Sequence, residues 1–268
     1  MSGVVPVLLY HSVSDQPAGQ FGPYTVTRHQ LASHLDQVTD LGFQTLTVGQ
    51  LVAHRAAGVP LPARTAVITF DDGFADFADN AWPEVARRGQ AATLYVTAGT
   101  IGARSNWLAP LDAGQLAMLD RAQLLDLAAD GCEIGAHSMS HPQLDCLTRL
   151  AAAVEIRQSK EVLEQALGQA VDTFAYPHGY HDTAVKELVA AAGYTSAAAV
   201  RNALSPADDD PYALARVTVT SDFSHEHVAR VLTGRGAPLA RPGERWRSRV
   251  WRQERRRRHH RAERMAAG

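Results

Sequence analysis

Cysteine and lysine are almost missing from this chain: 268 residues hold two of each. Two cysteines, Cys132 and Cys146, exclude a disulfide framework. No apolar run approaches the ~20 residues that a membrane-spanning helix needs. The N-terminal VVPVLLY is short and follows no Lys or Arg, so no export signal is read. A cytoplasmic location with two free thiols is the expectation. What is present is ample for a packed core: 46% of residues are hydrophobic and 20% charged, which excludes a disordered chain. The net charge of −2 hides an asymmetry. Residues 241–268 carry eleven Arg against three Glu, a net of +8, so the other 240 residues sum to −10.

Short apolar runs alternate with helix-periodic segments. Strands are expected at Val4–Tyr10, Phe43–Leu46, Thr65–Phe70, Ala92–Thr97, Cys132–Ala136, Thr173–Tyr176, Tyr194–Val200 and Ala215–Val219. Between them, Thr27, Thr47, Asp120 and Ser224 read as helix N-caps, helices are expected over about 77–88 and from Thr148 to about Leu167, and Gly42, Gly89, Gly131, Gly168 and Gly193 read as stops. Strands alternating with helices predict βα units in a parallel sheet or barrel. The division expected is a catalytic unit over 1–233 and an Arg-rich, loosely packed tail over 234–268.

Three strand ends carry chemistry. In Thr69-Phe70-Asp71-Asp72-Gly73 an apolar strand stops at two acids, and adjacent side chains there diverge, so one carboxylate can bind a metal while the other acts as a base. An Asp-Gly turn with a helix-capping Asp72 is the plain alternative. In His137-Ser138-Met139-Ser140-His141 two imidazoles four residues apart can share one metal in a tight turn or first helical turn. Asp72, His137 and His141 would supply three ligands and leave a position open, the catalytic arrangement. Phe174-Ala175-Tyr176-Pro177-His178-Gly179 is the weakest signal, a constrained turn whose backbone N–H groups can face a substrate.

Taken in order, TFDDG, HSxxH and FxxPxG resemble the polysaccharide deacetylase family, the NodB-homology domain of carbohydrate esterase family 4, over about Val4–Val219. The resemblance implies a distorted (β/α) barrel, in most members seven-stranded, and metal-dependent removal of acetyl groups from N-acetylated sugars. It implies Asp71 as base, Asp72, His137 and His141 as ligands of one divalent ion (Zn²⁺, with Co²⁺, Ni²⁺ or Mn²⁺ also suited), and the N–H after Pro177 as an oxyanion donor. Two positions depart from the pattern. Ala175 stands where the family has an Arg that pairs with the base, and Arg216 on a late strand is the replacement considered. No Leu-x-His follows residue 220, whereas Leu9-Tyr10-His11 follows the first strand. The opening PVLLYHSVS resembles a permuted branch that includes poly-N-acetylglucosamine deacetylases, so His11 is read as the general acid, with His178 as competitor.

A catalytically silent carbohydrate-binding or scaffolding module is the alternative, supported by the altered third motif. Nucleic acid is not an expected partner, since the body lacks a recognisable motif. Trp246 and Trp251 among the tail arginines suggest peripheral contact with an anionic membrane.

Overall fold

The computed structural model describes residues 3–241, 243 and 250–258. Ten strands are present: β1 (Val7–Tyr10), β2 (Ser12–Val13), β3 (Thr25–Val26), β4 (Gln44–Leu46), β5 (Thr65–Phe70), β6 (Thr93–Val96), β7 (Glu133–Ala136), β8 (Thr173–Ala175), β9 (Ser196–Ala198) and β10 (Val217–Thr218). The α-helices are α1 (Arg28–Asp40), α2 (Val48–Ala56), α3 (Trp82–Ala86), α4 (Arg121–Ala129), α5 (Arg149–Leu167), α6 (Thr183–Ala191) and α7 (His225–Leu232). Seven strands run in the order β10-β1-β5-β6-β7-β8-β9, and β4 also pairs with β5. Every pairing among them is parallel. The two ends of this curled sheet meet through one segment: Leu214 bridges to Ala198 of β9, and three residues later β10 pairs with β1. The result is a parallel barrel, one of the two forms the alternating pattern allowed, in the distorted shape that the family resemblance implied.

Local chemistry explains the helix boundaries. Thr27, Thr47 and Asp120 each accept a hydrogen bond from the backbone N–H three residues on, while Gln30, Gln50 and Gln123 reach back to close capping boxes. Thr148 caps α5, and Gly168 ends it in the left-handed conformation. The helix expected over about 77–88 is not uniform. Residues Phe77–Ala81 form a π turn in which the Trp82 N–H bonds to the Phe77 carbonyl. Pro83, which has no N–H to offer, then opens the α-helical part.

Inward and outward residues alternate along the strands. Leu8, Tyr10, Ile68, Phe70, Leu94 and Val96 face the helices, while Val7, Val67, Tyr95, Ala175 and Ala198 fill the barrel interior. Counting by twos from Val67 puts Asp71 on the inner face. Gly135 is required inside: a Cβ there would lie 2.5 Å from the Tyr95 ring.

The tail differs from its expectation. Residues 237–240 still pack on the barrel, with the Leu204 N–H bonded to the Pro238 carbonyl and the Ala240 N–H to the Leu204 carbonyl. Residues 250–258 are helical, and Arg255 is only 8% exposed. The loose packing read from composition does not hold for this stretch, because a buried carboxylate, Asp145, takes the Arg255 guanidinium. Trp246, Arg245, Arg247 and Arg249, on which the membrane expectation partly rests, lie outside the described residues.

A charge cluster joins α1 to α3. Glu84 is buried and accepts from Arg28 Nε (2.8 Å), Arg88 Nη1 (2.8 Å) and Arg87. Burial pushes its carboxyl up, but the hydrogen bonds from Arg88, Arg28 and Arg87 outweigh this and bring it down to about 2. A carboxyl lowered on folding stabilises the fold above its ordinary 4.5 and loses that contribution as pH falls towards 2. Glu84→Gln is therefore expected to cost roughly 1–3 kcal/mol at neutral pH, a range reduced because Arg28 and Arg87 are half exposed. In thermal melts the gap between wild type and variant should shrink steadily between about pH 4.5 and about pH 2; a constant gap would show that ionised Glu84 is not its source.

Candidate active site

Parallel register gathers the functional side chains at the carboxyl ends of the strands, where such barrels place their chemistry. Tyr10 pairs with Phe70, and the Asp71 N–H bonds to the Tyr10 carbonyl, so His11 and Asp71 leave neighbouring strands at the same level. Val96 pairs with Ala136, and the His137 N–H bonds to the Val96 carbonyl. Ala136 in turn pairs with Phe174, which leads into the Pro177-His178 turn. These ends enclose a cavity of about 590 Å³ lined by His11, Asp71, Asp72, His137, His141 and His178. Phe21, Tyr24, Trp107 and Tyr180 give its upper walls an aromatic surface.

Asp72, His137 and His141 converge, with all three donor atoms within 4.8 Å of one another. Asp72 Oδ1 lies 3.2 Å from His141 Nε2 and 3.5 Å from His137 Nε2. A tetrahedral ion with ligands at about 2.0–2.1 Å separates its donors by roughly 3.3 Å, so the spacing suits a shared cation. The tautomer fits as well. His137 Nδ1–H donates to the Ala175 carbonyl at 2.8 Å, which leaves the Nε2 lone pair facing Asp72. Burial pushes His137 down to about 4, so its imidazole is neutral at ordinary pH, the form that can bind a metal. Burial opposes ionisation of Asp72, but its hydrogen bond and charge interaction with His141, followed by His11 and His137, hold it well below the usual carboxylate range.

Asp71 is held differently. Both its oxygens accept from Arg216, Oδ1 from Nη1 at 2.6 Å and Oδ2 from Nη2 at 2.8 Å. Arg216 is fully buried and also donates to the Thr69 hydroxyl (3.2 Å) and, through Nε, to the Ala199 carbonyl (3.1 Å). Its guanidinium lies 5.4 Å from the centre of the Tyr95 ring. Burial alone would raise the Asp71 pKa; the Arg216 charge, helped by His137, lowers it. Arg216 thus pairs with Asp71 although Ala175 occupies the third-motif position.

His11 sits on the cavity wall against Phe21 and Tyr24, with ring centres 6.0 and 5.3 Å away. Burial pushes its pKa down, while Asp72 and Asp71 pull it up. His178 meets His141 edge to face at 4.6 Å, and desolvation, with the His141 charge, holds it down at about 3. Four residues of the site have positive φ: Asp72 (77°), Ser138 (62°), His141 (62°) and His178 (58°). This conformation is costly for non-glycine residues, and its concentration here marks a site where the chain is bent to aim side chains.

Sequence reasoning missed the aromatic walls. Trp107 stacks on His141 (ring centres 5.1 Å apart, 26° between planes), and Tyr180 stacks on His178 at 5.7 Å. Trp107 lies in an irregular stretch without periodicity, and Tyr180 follows the third motif by one residue; nothing in the spacing distinguishes either from a surface aromatic.

A parallel barrel with a buried His₂–carboxylate cluster and a second, Arg-paired carboxylate defines a hydrolase of the metal-site (β/α)-barrel class. The family model for polysaccharide deacetylase matches residues 58–197, and the chain belongs to that family, whose members remove acetyl groups from carbohydrates with a metal ion. Over 220 residues it is 25% identical to YxkH of Bacillus subtilis (strain 168), which by name falls in the same family; the match covers 82% of this chain and 73% of that protein. Two solved structures share the fold. The Streptococcus pyogenes deacetylase PplD superposes with a TM-score of 0.73 at 20% identity, covering 87% of this chain and 99% of that one. IcaB from Ammonifex degensii superposes with a TM-score of 0.72 at 22% identity, covering 88% and 98%. No helix among the described residues is long and apolar enough to cross a membrane.

Proposed function

We propose that this carbohydrate deacetylase hydrolyses the N-acetyl group of an amino sugar, with Asp72, His137 and His141 as ligands of one divalent ion, Zn²⁺ being the ion that suits a mixed imidazole–carboxylate set best. The observation that carries the reading is the pair of buried aspartates with separate partners: Asp72 with two imidazoles, Asp71 with Arg216. When bound, such an ion supplies Lewis acidity, polarising the acetyl carbonyl and making water easier to deprotonate. Asp71, kept ionised by Arg216, accepts the proton of the attacking water. The His178 backbone N–H faces the carbonyl oxygen as charge grows on it. His11 delivers a proton to the departing nitrogen, since an amide anion is a poor leaving group, and acetate and a free amine result. The two buried free thiols, Cys132 and Cys146, support a reducing compartment and hence the cytoplasm.

The experiment is acetate release from a chitooligosaccharide by the zinc-loaded protein, with and without chelator, beside an activated aryl acetate. Chelator should abolish release from both substrates. His11→Ala should slow the amide by about 10²–10⁴-fold and the ester much less, because an aryl oxide leaves without a proton. Equal losses on both substrates would remove His11 as the acid. A zinc-loaded wild type that frees no acetate from N-acetylated oligomers would favour the silent carbohydrate-binding module instead.

A further inference from the structure

The C-terminal helical stretch, residues 250–258, touches two loops that both carry site residues. One is the loop after β7, which contains His137 and His141 and continues through Asp145. The other is the turn after β8, which contains His178, Tyr180 and Asp182. Arg255 grips the first loop with a two-pronged contact: Nη1 to Asp145 Oδ1 at 2.8 Å and Nη2 to Asp145 Oδ2 at 2.6 Å. Nη1 also donates to the Gln143 side-chain oxygen at 3.2 Å. The same guanidinium lies 3.6 Å from the centre of the Tyr180 ring, on the second loop. Arg256 repeats the bridge, donating from Nε to the Asp145 carbonyl at 2.6 Å and from Nη2 to Asp182 Oδ2 at 2.9 Å.

Other contacts support the same loops: Glu155 accepts from the Met139 and Ser140 N–H groups, and Arg252 Nη1 donates to the His181 carbonyl at 3.4 Å. Asp145 is 1% exposed, and its carboxylate takes both prongs of Arg255. Tyr180 lines the cavity and stacks on His178, which in turn meets His141. A planar guanidinium can satisfy a carboxylate through its edge and an aromatic ring through its face at once; an ammonium cannot. Asp182 is fixed as well, because it caps α6 through the Val185 N–H at 2.9 Å.

We propose that the C-terminal helix is a positioning element of the active site, in which Arg255 and Arg256 clasp the two loops and hold Tyr180 as a fixed wall of the sugar-binding cavity. This rests on the deacetylase reading only for the identity of the ligand. The clasp acts on binding: Tyr180 lines the cavity, and an ordered wall loses less freedom when the sugar arrives. The proposed metal ligands stay in place without it: Asp72 and His137 are set by β5 and β7, and His141 by its own turn, where its N–H bonds to Ser138 Oγ at 3.1 Å and Glu155 holds the Met139 and Ser140 N–H groups.

The test compares full-length wild type with Arg255→Lys, which keeps the charge but loses the fork and the flat face, and with Arg255→Met/Asp145→Asn, which leaves no unpaired buried charge. Hydrogen exchange of the Gly179 and Tyr180 amides is measured first, because it needs no substrate. Both variants should exchange there about tenfold faster or more, with β5 and β7 unchanged. With chitooligosaccharide, KM should rise about five- to twentyfold while kcat changes less than about threefold, the pattern of lost ground-state binding, and zinc should still bind at one per chain. A double variant with wild-type exchange and wild-type KM would overturn the proposal and leave Arg255 as a plain partner for a buried acid. If wild type frees no acetate at all, the deacetylase reading fails, and the exchange measurement alone decides the clasp: unchanged exchange sinks it, faster exchange upholds it.

Discussion

Asp71→Asn is expected to retain its metal and to lose about 10²–10⁴-fold in kcat. The substitution keeps the shape of the side chain and removes its basicity. The metal should survive because the converging donors belong to Asp72, His137 and His141, and Asp71 Oδ2 stands off at 3.9 Å from His137 Nε2. A second consequence follows from Arg216. Its two prongs now find two acceptor oxygens; in the variant one of these becomes an NH₂ that has nothing to accept. A fully buried guanidinium then keeps one acceptor oxygen and loses its counter-ion altogether, and loss of one partner of a buried pair costs about 3–5 kcal/mol. Kinetics should therefore be read well below the variant's melting temperature, with metal content measured on the same sample. A metal-loaded, folded Asp71→Asn with near-normal kcat would mean that the base is another group. Loss of the metal would mean that the two aspartates share the ion.

Much of this was legible in the chain, for identifiable reasons. Thr65–Phe70 reads as a buried strand because all six residues are apolar or β-branched, and β5 spans the same residues. Thr27, Thr47, Asp120 and Ser224 are N-caps in fact as in sequence, since capping is local and its signal lies within four residues; the helix expected from Thr148 starts one residue later, with Thr148 as its cap. The His137–His141 spacing also carries its geometry with it. Other features depend on distant partners. Asp145 looks like a loop acid, and only the return of residues 250–258 explains why it is buried. The Arg run looks like a solvated tail because composition counts charges and not the ring and carboxylate that receive them. The two-residue strands β2 and β3 are set by each other's backbone and leave no periodicity to detect.

The Arg216–Asp71 pair offers the other large effect, and a way to ask whether a barrel can supply one charge from two different strands. Arg216→Ala removes every donor that Asp71 now has from that residue and leaves the carboxylate buried; His137 Nε2, 3.9 Å away, carries a lone pair and no proton and offers no replacement. An uncompensated buried charge costs about 3–5 kcal/mol, so the variant should melt well below wild type. Its kcat should fall at least about 10²-fold, because a base no longer oriented by its partner is a poor acceptor of the water proton. The natural rescue is Ala175→Arg in the same chain, which restores an arginine at the position where the family resemblance puts one. Ala175 is buried in the interior cluster that also contains Tyr95, and the Arg216 guanidinium lies over that same ring, so the two positions open on one space. Two guanidinium groups crowded into that buried space would repel each other with one carboxylate to share. Ala175→Arg alone should be destabilising by overpacking, while Ala175→Arg/Arg216→Ala should recover at least about tenfold of the lost kcat and part of the lost stability. Melting temperature and kcat on the four chains of this cycle give the coupling directly. Additive losses in the double variant would show that the two strands do not deliver charge to the same point, and Arg216 would then act on Asp71 through a geometry that no other strand can reproduce.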